Sequence, residues 1–520
     1  MPDILTAYAE GQPDKLAVID DRPGGGLVTW TYAELEERSN KLGNALAALG
    51  AEPGQKVIWC GPNSPEIVKI MQATRKVGTV AVPLNYRLTV EEARYITAHS
   101  DSSIAYVDAE YAHLFAPEDE QSGFPGSLRH VIVFGGPAPD GMLSEDDLVA
   151  GASAEPPEEV QQGMGAATMI YTSGTTGKPK GAVRRFRDEA SIIALITFIG
   201  YQTDDIYITS GPLYHSGPGS FMAIGLALGQ TVVIQRKFDP EDWLRLVEKH
   251  KVTSTFSAPA LVRMICALPA EVKAKYDRSS MKRMIANAAP WSFALKQAYL
   301  ADFPDDSLWE VYGSTELGIN CVLEPKDQLR KPGSCGKPAP MVEIMLVDAD
   351  GKEVTGIGPD QSGELFVRSA QIFNEYYKQP DSYEKARRGE YHTVGDIAYR
   401  DEEGFYFICD RKNDMIISGG MNIYPAEIEA ALEQHPKIYD VAVFGIPSEE
   451  WGELVHATIV VAPDAELTET EVIEFSRQHL AGYKTPRSVA FTEELPRTGS
   501  GKILKRELRA PYWQGRTANV

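Results

Sequence analysis

Short apolar runs of strand length, Lys56-Val-Ile-Trp59, His130-Val-Ile-Val-Phe134 and Thr231-Val-Val-Ile234, alternate with longer segments from Tyr32 to Leu49 and from Pro240 to Lys251. In the longer segments apolar residues recur every three to four positions, the period of a helix with one buried face, whereas the short continuous runs suit strands buried on both sides. This alternation predicts α/β layers. Met164-Gly-Ala-Ala-Thr-Met-Ile170 reads as another strand, and Asp21-Arg-Pro-Gly-Gly-Gly26 and Pro117 to Glu120 read as loops. The chain contains no repeat of roughly 20 to 50 residues. Past Asp410-Arg-Lys-Asn-Asp414 the pattern restarts, with helices from Pro425 to Gln434 and Glu469 to Leu480 and strands from Val441 to Phe444 and His456 to Val461. That tail of about 110 residues is long enough to fold by itself, so a domain boundary is expected near residue 411.

Composition narrows the partners. The 520 residues, 43% hydrophobic and 24% charged, can bury more than one core. A net charge of −22 repels nucleic acid and anionic membrane surfaces, so neither is an expected partner, and an anionic substrate would need local lysines and Mg²⁺. Cys60, Cys266, Cys321, Cys335 and Cys409 form no CxxC pair and lie near no histidine cluster, which suggests neither a disulfide framework nor a zinc site and fits a reducing cytoplasm. The amino terminus carries no basic region followed by an apolar core, and no apolar run reaches the ~18 residues of a membrane span. A soluble, cytoplasmic, unprocessed protein is expected.

The chemistry concentrates in Tyr171-Thr-Ser-Gly-Thr-Thr-Gly-Lys-Pro-Lys-Gly181, with four small hydroxyl residues, three glycines and two lysines in eleven positions. Glycines let the backbone turn tightly and bring N–H groups and hydroxyls to an anion, while lysines add mobile positive charge. A flexible Ser/Thr/Gly connector is the bland alternative, but linkers seldom carry a basic pair behind a buried strand. A Walker loop fails on spacing: two residues separate Gly174 from Gly177-Lys178 where four are needed, and Pro179 stands where Ser or Thr should be.

Further segments follow in order: Pro212-Leu-Tyr-His-Ser216, Trp309-Glu-Val-Tyr-Gly-Ser-Thr-Glu-Leu-Gly318, Gly395-Asp396, Asp410-Arg411, Ser418-Gly-Gly-Met-Asn422 and Pro496-Arg-Thr-Gly-Ser-Gly-Lys502. Together with the phosphate loop they resemble the ordered motifs of the adenylate-forming superfamily of acyl-CoA synthetases, luciferases and peptide-synthetase adenylation domains. The resemblance runs from the Gly54-Gln-Lys-Val57 region to Leu508. It implies a large multi-sheet N-terminal AMP-binding domain, residues 1–411, and a small mobile α/β C-terminal lid domain, residues 412–520, hinged near Lys412-Asn413. It also implies a two-step reaction, in which a carboxylate attacks the α-phosphorus of ATP to give acyl-AMP and pyrophosphate and the thiol of coenzyme A then displaces AMP.

The roles carried by the resemblance suit the residue types. Lys502, on a glycine-rich segment, would bridge the carboxylate and the α-phosphate as charge develops. The resemblance makes Thr172, Ser173, Gly174, Thr175, Thr176, Gly177 and Lys178 the phosphate loop, with Thr175, Thr176 and Lys178 assigned to the β- and γ-phosphates and Ser173 to the turn. Glu316 is the Mg²⁺ ligand and Thr315 touches the α-phosphate, although a capped helix start would use the same Thr-Glu pair. Tyr312 and Gly313 lie on one side of adenine, opposite Ala288, Ala289 and Pro290. Asp396 and Arg411 take the ribose hydroxyls, an ion pair between them being the plain alternative. His215 gates the acyl tunnel from the thiol channel, and Gly419 and Gly420 let backbone approach the thiol arm after the lid turns. Ser216 beside His215 lacks the GxSxG elbow of a hydrolase.

Three positions depart from the family pattern: Asn413 at the hinge, Asn287 where glycine is usual and Val394 where threonine often precedes Gly-Asp. Ser216 stands where amino-acid-activating relatives place an aspartate, so the acid is expected to be apolar. Gly217, Gly219, Ser220, Ala223 and Gly225 either keep a tunnel wide or let a helix pack closely. A medium or long-chain fatty acid is the expected substrate, with an aromatic or steroid side-chain acid, a carrier-protein thiol acceptor, oxidative use of the adenylate, or a silent nucleotide or acyl binder as alternatives. The sequence gives no oligomeric state.

Overall fold

The computed structural model describes residues 3–117, 123–158, 167–172, 179–185, 189–287, 291–411, 414–418, 421–448, 450–497 and 503–514, without the side chains of Arg411 and Asn422. Four sheets organise them. The largest has nine strands, its middle parallel (Leu308–Ser314, Arg283–Ala286, Ser254–Ser257, Ile206–Thr209, Thr231–Ile234 and Leu16–Asp21) and its edges antiparallel (Lys337–Pro338 and Gly318–Leu323 on one side, Leu27–Thr31 on the other). A second, eight-stranded sheet carries Ala167–Thr172, Val80–Leu84, Lys56–Cys60, Ile104–Asp108 and His130–Phe134 in parallel, with Lys180–Arg184 antiparallel beside Ala167–Thr172.

Helices Tyr32–Ala48, Pro65–Val77 and Ser216–Ala227 contribute to the core shared by these two sheets, where Leu42, Leu46, Ile67, Val68, Phe221, Val57 and Val232 are buried together. Their ends are set locally. Thr31 and Glu34 cap the first reciprocally; Ser64 accepts from Ile67 N–H and Pro65 opens the second, which Gly78 stops at φ 78°. Such caps contribute about 1 kcal/mol each. The opposite face of the nine-stranded sheet is covered by Pro240–His250, Pro259–Cys266 and Phe293–Asp302 through Trp243, Leu244, Val262, Leu295 and Tyr299.

A six-stranded antiparallel sheet follows (Glu343–Val347, Gly363–Arg368, Asp396–Arg400 and Tyr406–Arg411 among its strands), and the last sheet is built on the long hairpin Ile438–Ser448 and Gly452–Val461. Helices Pro425–Leu432 and Glu469–His479 bury Ile428, Leu432 and Val472 with the strand residues Ile416, Val441 and Val455, while Leu495, Ile503 and Leu508 gather around Ala442 and Val460. Helix positions therefore follow the hydrophobic period. The C-terminal strands are longer than their apolar runs, because antiparallel partners pair right up to the hairpin ends whatever their side chains. Among the described residues no helix is long and apolar enough to cross a membrane.

Candidate active site

The parallel strands of the nine-stranded sheet end at a cleft of about 3010 Å³, whose walls include Thr172, Ser210 to His215, Ala258, Asn287 and Ser314 to Glu316. The carboxyl ends of parallel strands are where α/β sheets leave room for ligands, and this volume far exceeds the roughly 300–1000 Å³ that one small molecule needs. Asp410 of the six-stranded sheet and, after that sheet, Tyr424 and Lys505 form a further wall.

Glu316 sits in the turn between strands Leu308–Ser314 and Gly318–Leu323, which excludes the capped-helix alternative for Thr315-Glu316. The turn is tight: a Cβ on Gly313 would lie 2.0 Å from the Gly318 carbonyl oxygen, and Gly318 itself has φ +75°. Glu316 is only 9% exposed. Its Oε1 accepts hydrogen bonds from Thr172 Oγ1 at 3.0 Å and Tyr376 OH at 3.1 Å, and its carbonyl accepts from Phe373 N–H at 2.7 Å. Thr315 Oγ1 and Ser216 Oγ share a hydrogen bond of 2.9 Å. The Thr172 and Tyr376 hydroxyls thus reach the Glu316 carboxylate from two distant parts of the chain, with the Ser216–Thr315 pair beside them. Hard oxygens of this kind suit a cation shared with a polyphosphate. Among the described residues no group of three His, Cys, Asp or Glu could hold a metal, and Glu316 is the single carboxylate in this corner of hydroxyls.

The sequence did not announce Arg184 or Tyr376. Burial pulls the Arg184 guanidinium below its usual range and the Glu316 carboxylate opposes that shift, while Nη2 donates to the Gln371 carbonyl at 3.0 Å. Lys180 reaches Ser382 Oγ at 3.2 Å and lies 5.2 Å from the Tyr376 ring centre. No motif contains Tyr376; only the pairing of Glu375–Tyr376 with Lys180–Arg184 brings it to Glu316.

Tyr312 is anchored as well as flat. Its hydroxyl donates to Asp396 Oδ2, and burial, reinforced by the Asp396 charge, pushes the phenol far above its ordinary range. Asp396 opens its strand directly opposite Arg411 in register, which brings the two backbones together; the Arg411 side chain lies outside the described residues. Asn287 donates from Nδ2 to the Val311 carbonyl at 2.8 Å, bracing adjacent strands. Thr393, one residue before Val394, accepts from Gly395 N–H at 2.9 Å and donates to Glu364 at 3.0 Å. Beneath this wall the buried pair Lys296–Glu310 was not foreseen either, and burial raises the Glu310 carboxyl.

His215 precedes helix Ser216–Ala227, its ring 4.5 Å from Tyr214, which in turn meets Tyr86 edge-on at 5.6 Å. The small residues after it both pack closely and line the cleft. A Cβ on Gly217 would fall 2.3 Å from the Phe256 ring and one on Gly219 2.6 Å from the Leu213 carbonyl oxygen, so these two serve close packing. Ser220, Ala223, Ile224 and Ala227 line the cleft together with Ile192, Leu195 and Ile196 of helix Glu189–Ile199. This branch of the cleft is apolar.

Ser173, Gly174, Thr175, Thr176, Gly177, Lys178, Ala288, Ala289, Pro290, Lys412, Asn413, Gly419, Gly420 and Lys502 lie outside the described residues. Their flanks are placed. Tyr171 and Thr172 pair with Gly181 and Lys180 on either side of the phosphate loop, Ser418 pairs with Met421, and Arg497 bridges Ile503.

Comparison with known proteins joins these pieces. The family described as AMP-binding enzyme matches residues 5–377, and its C-terminal domain matches residues 427–502. A feruloyl-CoA synthase of Amycolatopsis sp is 34% identical over 94% of this chain and 95% of its own. A long-chain-fatty-acid–CoA ligase of Mycobacterium tuberculosis is 32% identical over 93% of each chain. The o-succinylbenzoate CoA synthetase of Bacillus subtilis, solved in complex with its acyl-adenylate intermediate, superposes with a TM-score of 0.82 at 27% identity, covering 98% of each chain.

Proposed function

Since this chain belongs to the AMP-binding enzyme family and is an acyl-CoA ligase using ATP and coenzyme A, we propose that its acid is a medium- or long-chain fatty acid or a similarly apolar acid. The observation that carries the reading is the meeting of two environments. A polar corner made by Thr172, Ser216, Thr315 and Glu316 adjoins a branch walled by Ile192, Leu195, Ile196, Ile224 and Ala227. A carboxylate at that junction would face the nucleotide while its tail leaves water, each buried methylene contributing about 0.8 kcal/mol.

In this reading residues 173–178 and Lys180 hold the polyphosphate, and Glu316 shares Mg²⁺ with it. Tyr312 and Asp396 seat adenosine, with Arg411 on the ribose. Lys502 neutralises the approaching anions in the first step, when both reactants are negative. The residues after the hinge at 412–413 then turn, Lys502 leaves, and Gly419 and Gly420 admit the thiol past His215. One site thereby runs two reactions without two sets of groups competing for space.

The test is pyrophosphate release from Mg-ATP with acetate, hexanoate, palmitate, ferulate, benzoate and a steroid side-chain acid, with and without coenzyme A. Steady CoA-dependent turnover that rises from acetate to hexanoate and palmitate is the expected result. Highest kcat/KM with ferulate or benzoate overturns the aliphatic assignment, and release stopping near one equivalent with any acid points to another acceptor.

A further inference from the structure

We propose that Glu453 is a positioning residue shared by both half-reactions, tying the strand that leads to Gly419-Gly420 to the helix that follows Lys502; the inference rests on the two-conformation reading above. Glu453 lies on strand Gly452–Val461 and is 5% exposed. Its Oε2 accepts the Ile417 backbone N–H at 2.9 Å, and its Oε1 accepts Arg509 Nη2 at 2.6 Å. A buried carboxylate without such partners is strongly disfavoured, so each partner is held where the carboxylate is. The fold makes space for it: a Cβ on Gly445, in the facing strand, would sit 2.7 Å from Oε2.

The two partners lead to different chemistry. Ile417 belongs to strand Ile416–Ser418, whose pairing with Met421–Ile423 flanks residues 419 and 420, the proposed path of the thiol. Arg509 ends helix Lys505–Arg509, its guanidinium lying 4.9 Å from the Trp513 ring centre, and Trp513 Nε1 donates to the Gly445 carbonyl at 3.1 Å. That helix begins just after the point where Leu504 N–H meets the Pro496 carbonyl at 2.8 Å and Arg497 bridges Ile503, closing the ends of the segment that contains Lys502. One oxygen of Glu453 therefore registers the thiol-side strand and the other registers the base of the adenylating lysine. A carboxylate with a merely structural role would affect melting alone.

The experiment measures the half-reactions separately on the full chain, acid-dependent ATP–pyrophosphate exchange for the first and thioester formation from supplied acyl-AMP and CoA for the second. Arg509→Met is expected to lower kcat of exchange roughly 10- to 100-fold through misplacement, with KM for ATP and the thioester step within about twofold of wild type. Arg509→Lys should recover much of the exchange, and Glu453→Gln should lower kcat of both steps. Wild-type kcat in both steps for Arg509→Met and Glu453→Gln, or losses confined to KM or melting temperature, would overturn the proposal. Should Glu453→Gln not fold, the Arg509 pair decides alone. Lys502→Ala separates the two levels: wild-type exchange in that variant refutes the underlying reading, whereas lost exchange there beside unaltered kcat in the Arg509 and Glu453 variants refutes only the role of Glu453.

Discussion

Replacing Tyr312 by phenylalanine separates the two roles given to that side chain, a flat wall and a hydrogen-bond donor. The ring and its packing stay, while Asp396, 7% exposed, loses the hydroxyl that donates to Oδ2. A hydrogen bond to a charged group contributes about 1.5–3 kcal/mol, and at roughly 1.4 kcal/mol per decade its loss corresponds to about a 10- to 150-fold change. If Asp396 must be held at a set angle to receive the ribose, that loss appears in kcat/KM for ATP in acid-dependent ATP–pyrophosphate exchange. Melting temperature should fall only modestly. Tyr312→Leu, which also removes the ring, should lose more. Exchange within twofold of wild type for Tyr312→Phe would refute the reasoning, because the hydroxyl would then contribute nothing to the orientation of Asp396 that the nucleotide feels.

Three more outcomes follow from particular contacts. Glu316→Gln keeps an acceptor for Thr172 and Tyr376, so the fold should survive, yet adenylation should drop at least ~100-fold and need more Mg²⁺, which a magnesium titration of the exchange reaction checks; an unchanged titration would remove Glu316 from the metal. Gly217→Ala drives a methyl group into the Phe256 ring and should cost about 1–3 kcal/mol of stability, read by thermal melts. His456, 1% exposed among Ser488, Thr458 and Tyr512, is lowered by burial to about 4. Its unfolded form takes a proton near pH 6.5 while the folded form stays neutral, so stability is full above that pH and falls by up to about 3 kcal/mol as pH drops toward 4. His456→Gln should flatten that dependence in calorimetry between pH 7 and 4.5.

The sequence legibly carried whatever depends on neighbours along the chain. Helix Pro240–His250 was readable because its apolar spacing lies within one segment, and strand Thr231–Ile234 because its burial needs nothing but a short, largely apolar run. The motifs around Thr172, His215, Tyr312, Glu316 and Asp396 were readable for the same reason, since each is a short string whose spacing survives without knowledge of the fold.

Tertiary structure decided everything that links those strings. Thr172 meets Glu316 across 144 positions and Tyr312 meets Asp396 across 84, and no local period encodes either separation. Whether Gly217 widened a tunnel or packed a helix was open until Phe256 was found against it, because a missing side chain has the same spelling in both cases. Tyr376, Arg184 and the Lys296–Glu310 pair belong to no motif; sheet register and burial bring them to the site. Local sequence sets backbone preference and the chemical groups on offer, whereas the pairing of distant strands, driven by burying one continuous core, determines which of those groups stand within hydrogen-bonding reach of each other.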